Sequence, residues 1–166
     1  MQLTSRIFEP LTTLLRRLSG HHRTRPLQMA ATPPFTLRRS NPAGLWRSPR
    51  LTQMVEVQGA RMIYLSGQTP ADADYKVVGR DVRAQAHAVY DNIEIALKAA
   101  GAGWDNVVKT TTYLTDAALI QDFREARMER FRNLKAAPAN TLLVVSSLAE
   151  SEFLIEIDVV AAVPAG

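Results

Sequence analysis

Near its C-terminus the chain reads Phe153-Leu154-Ile155-Glu156-Ile157-Asp158-Val159-Val160, and this run limits the possible folds more than any other. Side chains alternate faces along a strand. Phe153, Ile155, Ile157 and Val159 therefore form one apolar face, while Leu154, Glu156, Asp158 and Val160 point the other way. The richness in β-branched residues supports a strand. Leu154 and Val160 flank the two carboxylates, so both faces are expected to be covered. Carboxylates in that position face solvent, meet cationic partners, or belong to a site.

The rest of the globular part supplies layers for such a strand. Residues 51–57 and 61–66 read as short strands joined at Gln58-Gly59-Ala60-Arg61, a sequence suited to a hairpin turn. Ser66-Gly67-Gln68-Thr69-Pro70 ends the second of them. From Asp81 the period changes: Val82, Ala86, Val89, Ile93, Leu97 and Ala100 recur at steps of three and four, which predicts an amphipathic helix. Asp81 is its expected N-cap and Gly101 its expected stop. A strand over 107–114, a second helix over 118–134 and strands over 141–145 and 153–160 complete the order β-β-α-β-α-β-β. Two helices can cover one face of a single sheet, an α+β layer fold. For the other face, Leu142, Val144, Leu154 and Val160 are available, and a homo-oligomer would supply the missing cover.

Composition narrows the chemistry. The chain of 166 residues has no cysteine, which excludes disulfides, thiolate nucleophiles and cysteine-held metals. Its three histidines, His21, His22 and His87, are too few and too scattered for a metal site. No apolar run approaches the roughly 20 residues needed to cross a bilayer. The net charge of +4 averages two unlike parts. Residues 1–50 hold nine arginines, no lysine and one acid, Glu9, a net of +8. Residues 51–166 hold 11 basic and 15 acidic side chains, a net of −4, which argues against nucleic acid as a partner of the globular part.

The basic N-terminal part, residues 1–50, reads as an extension with two interpretations. Leu11, Leu14, Leu15 and Leu18 alternate with Arg16 and Arg17, the Arg-rich and acid-poor pattern of a mitochondrial transit peptide. Alternatively it is a non-functional flank, with Met29 as the start of a cytoplasmic protein. Residues 31–50, with Pro33, Pro34, Pro42 and Pro49, read as an extended linker.

Few residues stand out as bearers of chemistry. In the second helix the apolar stripe Ile120, Phe123, Phe131 and Leu134 is interrupted by Arg127, four residues from each phenylalanine. Arg127 either reaches the rim while its stem packs, or holds an anion at a subunit seam with its bidentate fork. Glu156 and Asp158 are same-face neighbours about 7 Å apart, a spacing suited to acid/base work or water positioning and equally to salt bridging or exposure. His87 shares a helix face with Arg83, Tyr90 and Glu94 and reads as a rim residue. Gly67 marks a bulge or a close approach to a ligand. No phosphate-binding glycine loop, nucleophile elbow or metal-ligand cluster is present in the sequence.

Beside this reading stands a string of short motifs. They are Ile63-Tyr64-Leu65-Ser66-Gly67-Gln68-Thr69-Pro70, Asp81-Val82-Arg83-Ala84-Gln85-Ala86 leading into Asp91-Asn92-Ile93, and Ala99-Ala100-Gly101. Val108-Lys109-Thr110-Thr111, Tyr113-Leu114-Thr115-Asp116, Pro138-Ala139-Asn140-Thr141 and Ile155-Glu156-Ile157-Asp158 follow. In this order, over about residues 51–163, the string resembles the RidA/YjgF family. The resemblance implies a chorismate-mutase-like α+β fold and a homotrimer with ligand clefts between adjacent subunits. It also implies hydrolysis of reactive enamines and imines to 2-oxo acids and ammonia, with neither metal nor cofactor.

By the same resemblance, Glu156 orients water, and Ser66, Gly67 and Gln68 shape the cleft. The family's substrate-clamping arginine falls at Asn140, followed by Thr141, and its frequent cysteine at Leu142. A helix position that is asparagine in many deaminases is Arg127 here, which could supply the cation from another side. The expected ligand set is therefore Ser66, Gly67, Gln68, Arg127, Asn140 and Thr141, with Glu156 as the catalytic group. The expected partners are a small carbonyl, imine or carboxylate metabolite and other copies of the chain, with no membrane. A non-catalytic binding or regulatory trimer is the main alternative. Endoribonuclease activity, which some relatives have, finds support only in the basic tail.

Overall fold

The computed structural model describes residues 33–165. The transit-peptide and flank readings of residues 1–30 lie outside that range. The elements are β1 (Thr36–Ser40), β2 (Met54–Gln58), β3 (Ala60–Gln68), α1 (Val82–Ala99), β4 (Val107–Leu114), α2 (Ile120–Phe131), β5 (Ala139–Val144) and β6 (Ile155–Pro164). Four strands form one sheet in the order β3-β6-β4-β5; β6 runs antiparallel to both its neighbours, and β4 pairs with β5 in parallel. The C-terminal run read first from the sequence is therefore an interior strand. Its expected apolar face is buried: Phe153, Ile155, Ile157 and Val159 are each at most 1% exposed.

Helix α1 begins and ends where local chemistry predicts. Asp81 accepts a hydrogen bond from the Ala84 backbone N–H at 2.8 Å, and Gly101 takes up a positive φ of 71° just past the helix. Val82, Ala86, Val89, Ile93 and Leu97 join Ile155, Ile157 and Val159 in one core. Helix α2 is shorter than the expected 118–134, because a 3₁₀ turn at Ala117–Leu119 precedes it and the chain leaves the helix after Phe131. An aromatic cluster of Tyr90, Trp104 and Phe131 joins the helices at one end. There Arg130 binds Asp91, Glu94 and the Tyr90 carbonyl.

Three expectations change. The hairpin at Gln58-Gly59-Ala60-Arg61 does not form: Gly59, at φ 60°, turns the chain from β2 into β3, and the two strands join different sheets. A single residue is too short to return one strand alongside the other. The partner of β2 comes instead from the expected linker, where β1 pairs antiparallel with it from Thr36↔Gln58 to Ser40↔Met54. The prolines that suggested a linker, at 33, 34, 42 and 49, all fall outside β1. Finally, Leu142 and Leu154 pack against the helix-covered core rather than filling the other sheet face.

That other face carries Glu156, Asp158 and Val160 of β6 with Lys109, Thr111 and Tyr113 of β4, Tyr64 of β3 and Leu143 of β5. Among the described residues no helix lies over it. Tyr64 is 74% exposed, and Met62 and Leu143 are also exposed.

Candidate functional site

The Ser66–Pro70 turn is built by a break in strand pairing. Register between β3 and β6 shifts between Leu65 and Gln68, the bulge that Ser66-Gly67 suggested. Asn92 of α1 fixes the turn by donating to the carbonyls of Thr69 (3.1 Å) and Ala71 (2.8 Å). The missing side chain of Gly67 leaves room for Glu156: a Cβ built on Gly67 would lie 2.8 Å from Glu156 Cδ and overlap its carboxylate. The close approach at Gly67 is thus made by a carboxylate of the same chain. Partial burial, and secondarily the Asp158 charge, raise the Glu156 pKa above the ordinary carboxylate value.

Asp158, the other carboxylate of the pair, is committed to Tyr113, whose hydroxyl donates to it at 2.8 Å. That bond and burial raise the tyrosine's pKa. Thr141 lies on the same sheet face and accepts from Lys109 Nζ. Of the two carboxylates, Glu156 is the one without a hydrogen-bonding donor among the described residues. His87 sits on the helix surface beside Glu129, 3.3 Å away, as its sequence context suggested.

A residue that the sequence reading missed lines the cleft of about 520 Å³ beside Ser66, Gly67 and Gln68. Tyr75 has a positive φ of 61°, is 59% exposed, and sets its ring edge-on against Phe153 with centroids 6.0 Å apart. A bulky residue in the left-handed region stores strain of about 1 kcal/mol or more. The enforcing device is Asp72, whose carboxylate accepts from the backbone N–H groups of Asp74 (3.0 Å) and Lys76 (2.9 Å). Asp72-Ala73-Asp74 was the available signal, an Asx-turn pattern.

Arg127 and Asn140 lie elsewhere in the protomer. Asn140 is on the helix-facing side of β5, where its Oδ1 accepts from the Thr110 hydroxyl at 2.8 Å. Arg127 is only 3% exposed, so it does not reach the rim. Its Nη2 donates to the Arg50 carbonyl at 3.1 Å, and its guanidinium stacks 4.7 Å from the Phe131 ring centre. Burial lowers its pKa and pushes the nearby Tyr90 hydroxyl up to about 12. Arg127 and Asn140 share a cavity of about 180 Å³ with Trp46, Leu51 and Leu142.

One protomer thus presents two groups of expected site residues: Ser66, Gly67, Gln68 and Glu156 at the bulge, with Thr141 on the same sheet face as Glu156, and Arg127 with Asn140 on the other side of the sheet. The first can hold and orient a water molecule; the second offers an amide beside three arginines, Arg50, Arg124 and Arg127, with Trp46, Leu51, Phe123 and Leu142 as apolar wall. Among the described residues no cluster of His, Cys, Asp or Glu could hold a metal ion, and no helix is long and apolar enough to cross a membrane.

Residues 49–163 match the family model described as Endoribonuclease L-PSP. Protein DfrA of Myxococcus xanthus is 36% identical over 66% of this chain and 82% of its own length. A RutC family protein of Saccharolobus solfataricus is 39% identical over 60% of this chain and 78% of its own. The crystal structure of the Rid-family protein YyfB of Yersinia pestis superposes with a TM-score of 0.69 at 30% identity, covering 76% of this chain and 98% of that one.

Proposed function

The chain belongs to the RidA/YjgF/RutC family, and from that premise we propose that it works as a homotrimer binding a small carbonyl, imine or carboxylate metabolite between subunits. One copy contributes Glu156 and the Ser66-Gly67-Gln68 turn; the neighbouring copy contributes the cavity of Asn140 and Arg127. The observation that carries this reading is the Glu156 carboxylate, given room by Gly67 and poised by its raised pKa to exchange a proton with water. The split of the expected residues between two sides of one sheet supports a shared cleft.

In the proposed hydrolysis Glu156 orients a water molecule and accepts its proton as the oxygen bonds to the imine carbon. The C=N π electrons move to nitrogen, which takes that proton from Glu156 to give the carbinolamine. Glu156 then accepts the carbinolamine hydroxyl proton as the C=O bond forms and delivers it to nitrogen as the C–N bond breaks, leaving a 2-oxo acid and ammonia. Nothing is oxidised or reduced. Holding the water against a bound imine contributes to the rate by proximity and orientation.

A specific observation favours a second reading, a binding or regulatory trimer without catalysis. Asn140, which by the sequence resemblance stands at the position of the family's clamping arginine, is uncharged and has its Oδ1 engaged by Thr110. An amide cannot make the charged two-point contact of a guanidinium. Endoribonuclease activity has no comparable support, because residues 51–166 carry a net charge of −4.

The test is imine hydrolysis by the full chain. An amino-acid oxidase generates 2-iminopropanoate, semicarbazide traps it, and Asn140→Arg is run alongside. Activity that disappears in Glu156→Gln supports the deaminase. Inactivity of the unmodified chain with gain of function in Asn140→Arg indicates an intact scaffold with another natural ligand. Inactivity in both moves the assignment to the binding role.

A further inference from the structure

Where α2 ends, residues 131–137 fold back beside Pro49 and Arg50 and enclose a cavity of about 250 Å³. Four cationic side chains line it, Arg50, Arg127, Arg132 and Lys135, and no acidic one does. Met128 and Leu134 supply apolar wall. None of the four cations takes part in an ion pair among the described residues. Arg130 of the same helix, by contrast, is paired with both Asp91 and Glu94.

Arg127 makes the imbalance costly. It is 3% exposed, its guanidinium has only neutral neighbours, the Arg50 carbonyl, the Phe131 ring and the Tyr90 hydroxyl, and no carboxylate lies against it among the described residues. Buried cations ordinarily carry a carboxylate or another anion, because an uncompensated charge in a low-dielectric interior is strongly destabilising. The C-terminal dipole of α2 favours a cation at its end, which bears on Arg132, its C-cap. It gives no counter-charge to Arg127, or to Arg50, which lies outside the helix.

We propose that this cavity is a binding site for a small organic dianion, the shared chemistry of phosphate monoesters and short dicarboxylates. The anionic groups meet Arg127 and the surrounding cations, and a short carbon body lies against Met128 and Leu134. Glu156, Gly67 and Asn140 do not line this cavity, whereas Arg50 and Arg127 line both it and the Asn140 cavity; the Asn140 variant below therefore separates the two sites.

Thermal unfolding of the full chain, titrated at constant ionic strength with inorganic phosphate, glycerol phosphate or succinate, tests it. Acetate and chloride serve as monovalent controls. Arg132 and Lys135 are exposed, so the Arg132→Ala/Lys135→Ala double variant keeps the fold. The expected result is a saturable rise in Tm with at least one dianion and none with the controls. Apparent affinity should fall about tenfold or more in the double variant and stay unchanged in Asn140→Ala and Glu156→Gln. A response to the phosphates alone or to succinate alone identifies which dianion fits. The proposal is overturned by the absence of a saturable shift, by an equal shift with acetate or chloride, or by undiminished affinity in the double variant. Loss of the response in Asn140→Ala would also overturn it, by moving the binding to the cleft.

Discussion

Glu156 and Gly67 act as one unit, and two predictions belong to that pair. Gly67 has no positive φ, so alanine is allowed by the backbone there, and its methyl group would displace the end of a flexible side chain. Gly67→Ala is expected to lower stability by less than about 1 kcal/mol while abolishing whatever chemistry Glu156 performs. In a Glu156→Ala background the same change should have no further effect on activity and should be neutral to unfolding, as a double-mutant cycle would measure.

The second prediction concerns pH. A carboxylate with a raised pKa binds its proton more tightly in the folded chain than in the unfolded one. Stability therefore falls as pH rises from the unfolded value, about 4.3, through the raised folded value. Glu156→Gln should have a higher Tm than the unmodified chain at pH 7 and lose that advantage below about pH 4, as a pH series of thermal melts would reveal. For a hydrolase, the acid limb of the rate profile should lie above the ordinary glutamate range.

Among the elements, the two helices and the strands β4, β5 and β6 follow from periodicity and caps, because those signals are local and repeated. The β1–β2 ribbon does not. A five-residue strand such as Thr36-Leu37-Arg38-Arg39-Ser40 has no hydrophobic pattern strong enough to stand out, and its pairing with β2 joins residues far apart in sequence. Arg39 also reaches the start of β4, donating to the carbonyls of Asp105 (2.8 Å) and Val107 (2.9 Å). The Ser66–Pro70 turn is likewise held by a distant residue, Asn92. Asn92→Ala strands two carbonyls and should destabilise the fold by about 1–3 kcal/mol, measured by urea unfolding. The same variant should reduce activity more than an exposed α1 substitution such as Lys98→Ala.

For the whole molecule the uncovered sheet face is decisive. An interior strand such as β6 is complete on the helix side and open on the other, where Tyr64, Met62 and Leu143 expose apolar surface. In the proposed trimer this face lies against other copies. Tyr64→Glu and Leu143→Glu should then shift the sedimentation coefficient towards that of a monomer at micromolar concentration, with α1 and α2 retained by circular dichroism. Unchanged assembly in both variants would place the subunit contact elsewhere.

The sequence by itself determined the α+β class, the burial pattern of β6, the limits of α1 and the family, because alternation, capping and short motifs are encoded within a few residues of one another. It also singled out Glu156 and Gly67, but not that one makes room for the other. Only the tertiary structure decided that Gly59 divides two sheets, that Leu142 faces the core, that Tyr75 is forced into a left-handed conformation beside the turn, and that Arg127 is buried without a counter-charge. Each of these depends on which distant segment arrives alongside, and packing between segments has no local period for the sequence to display.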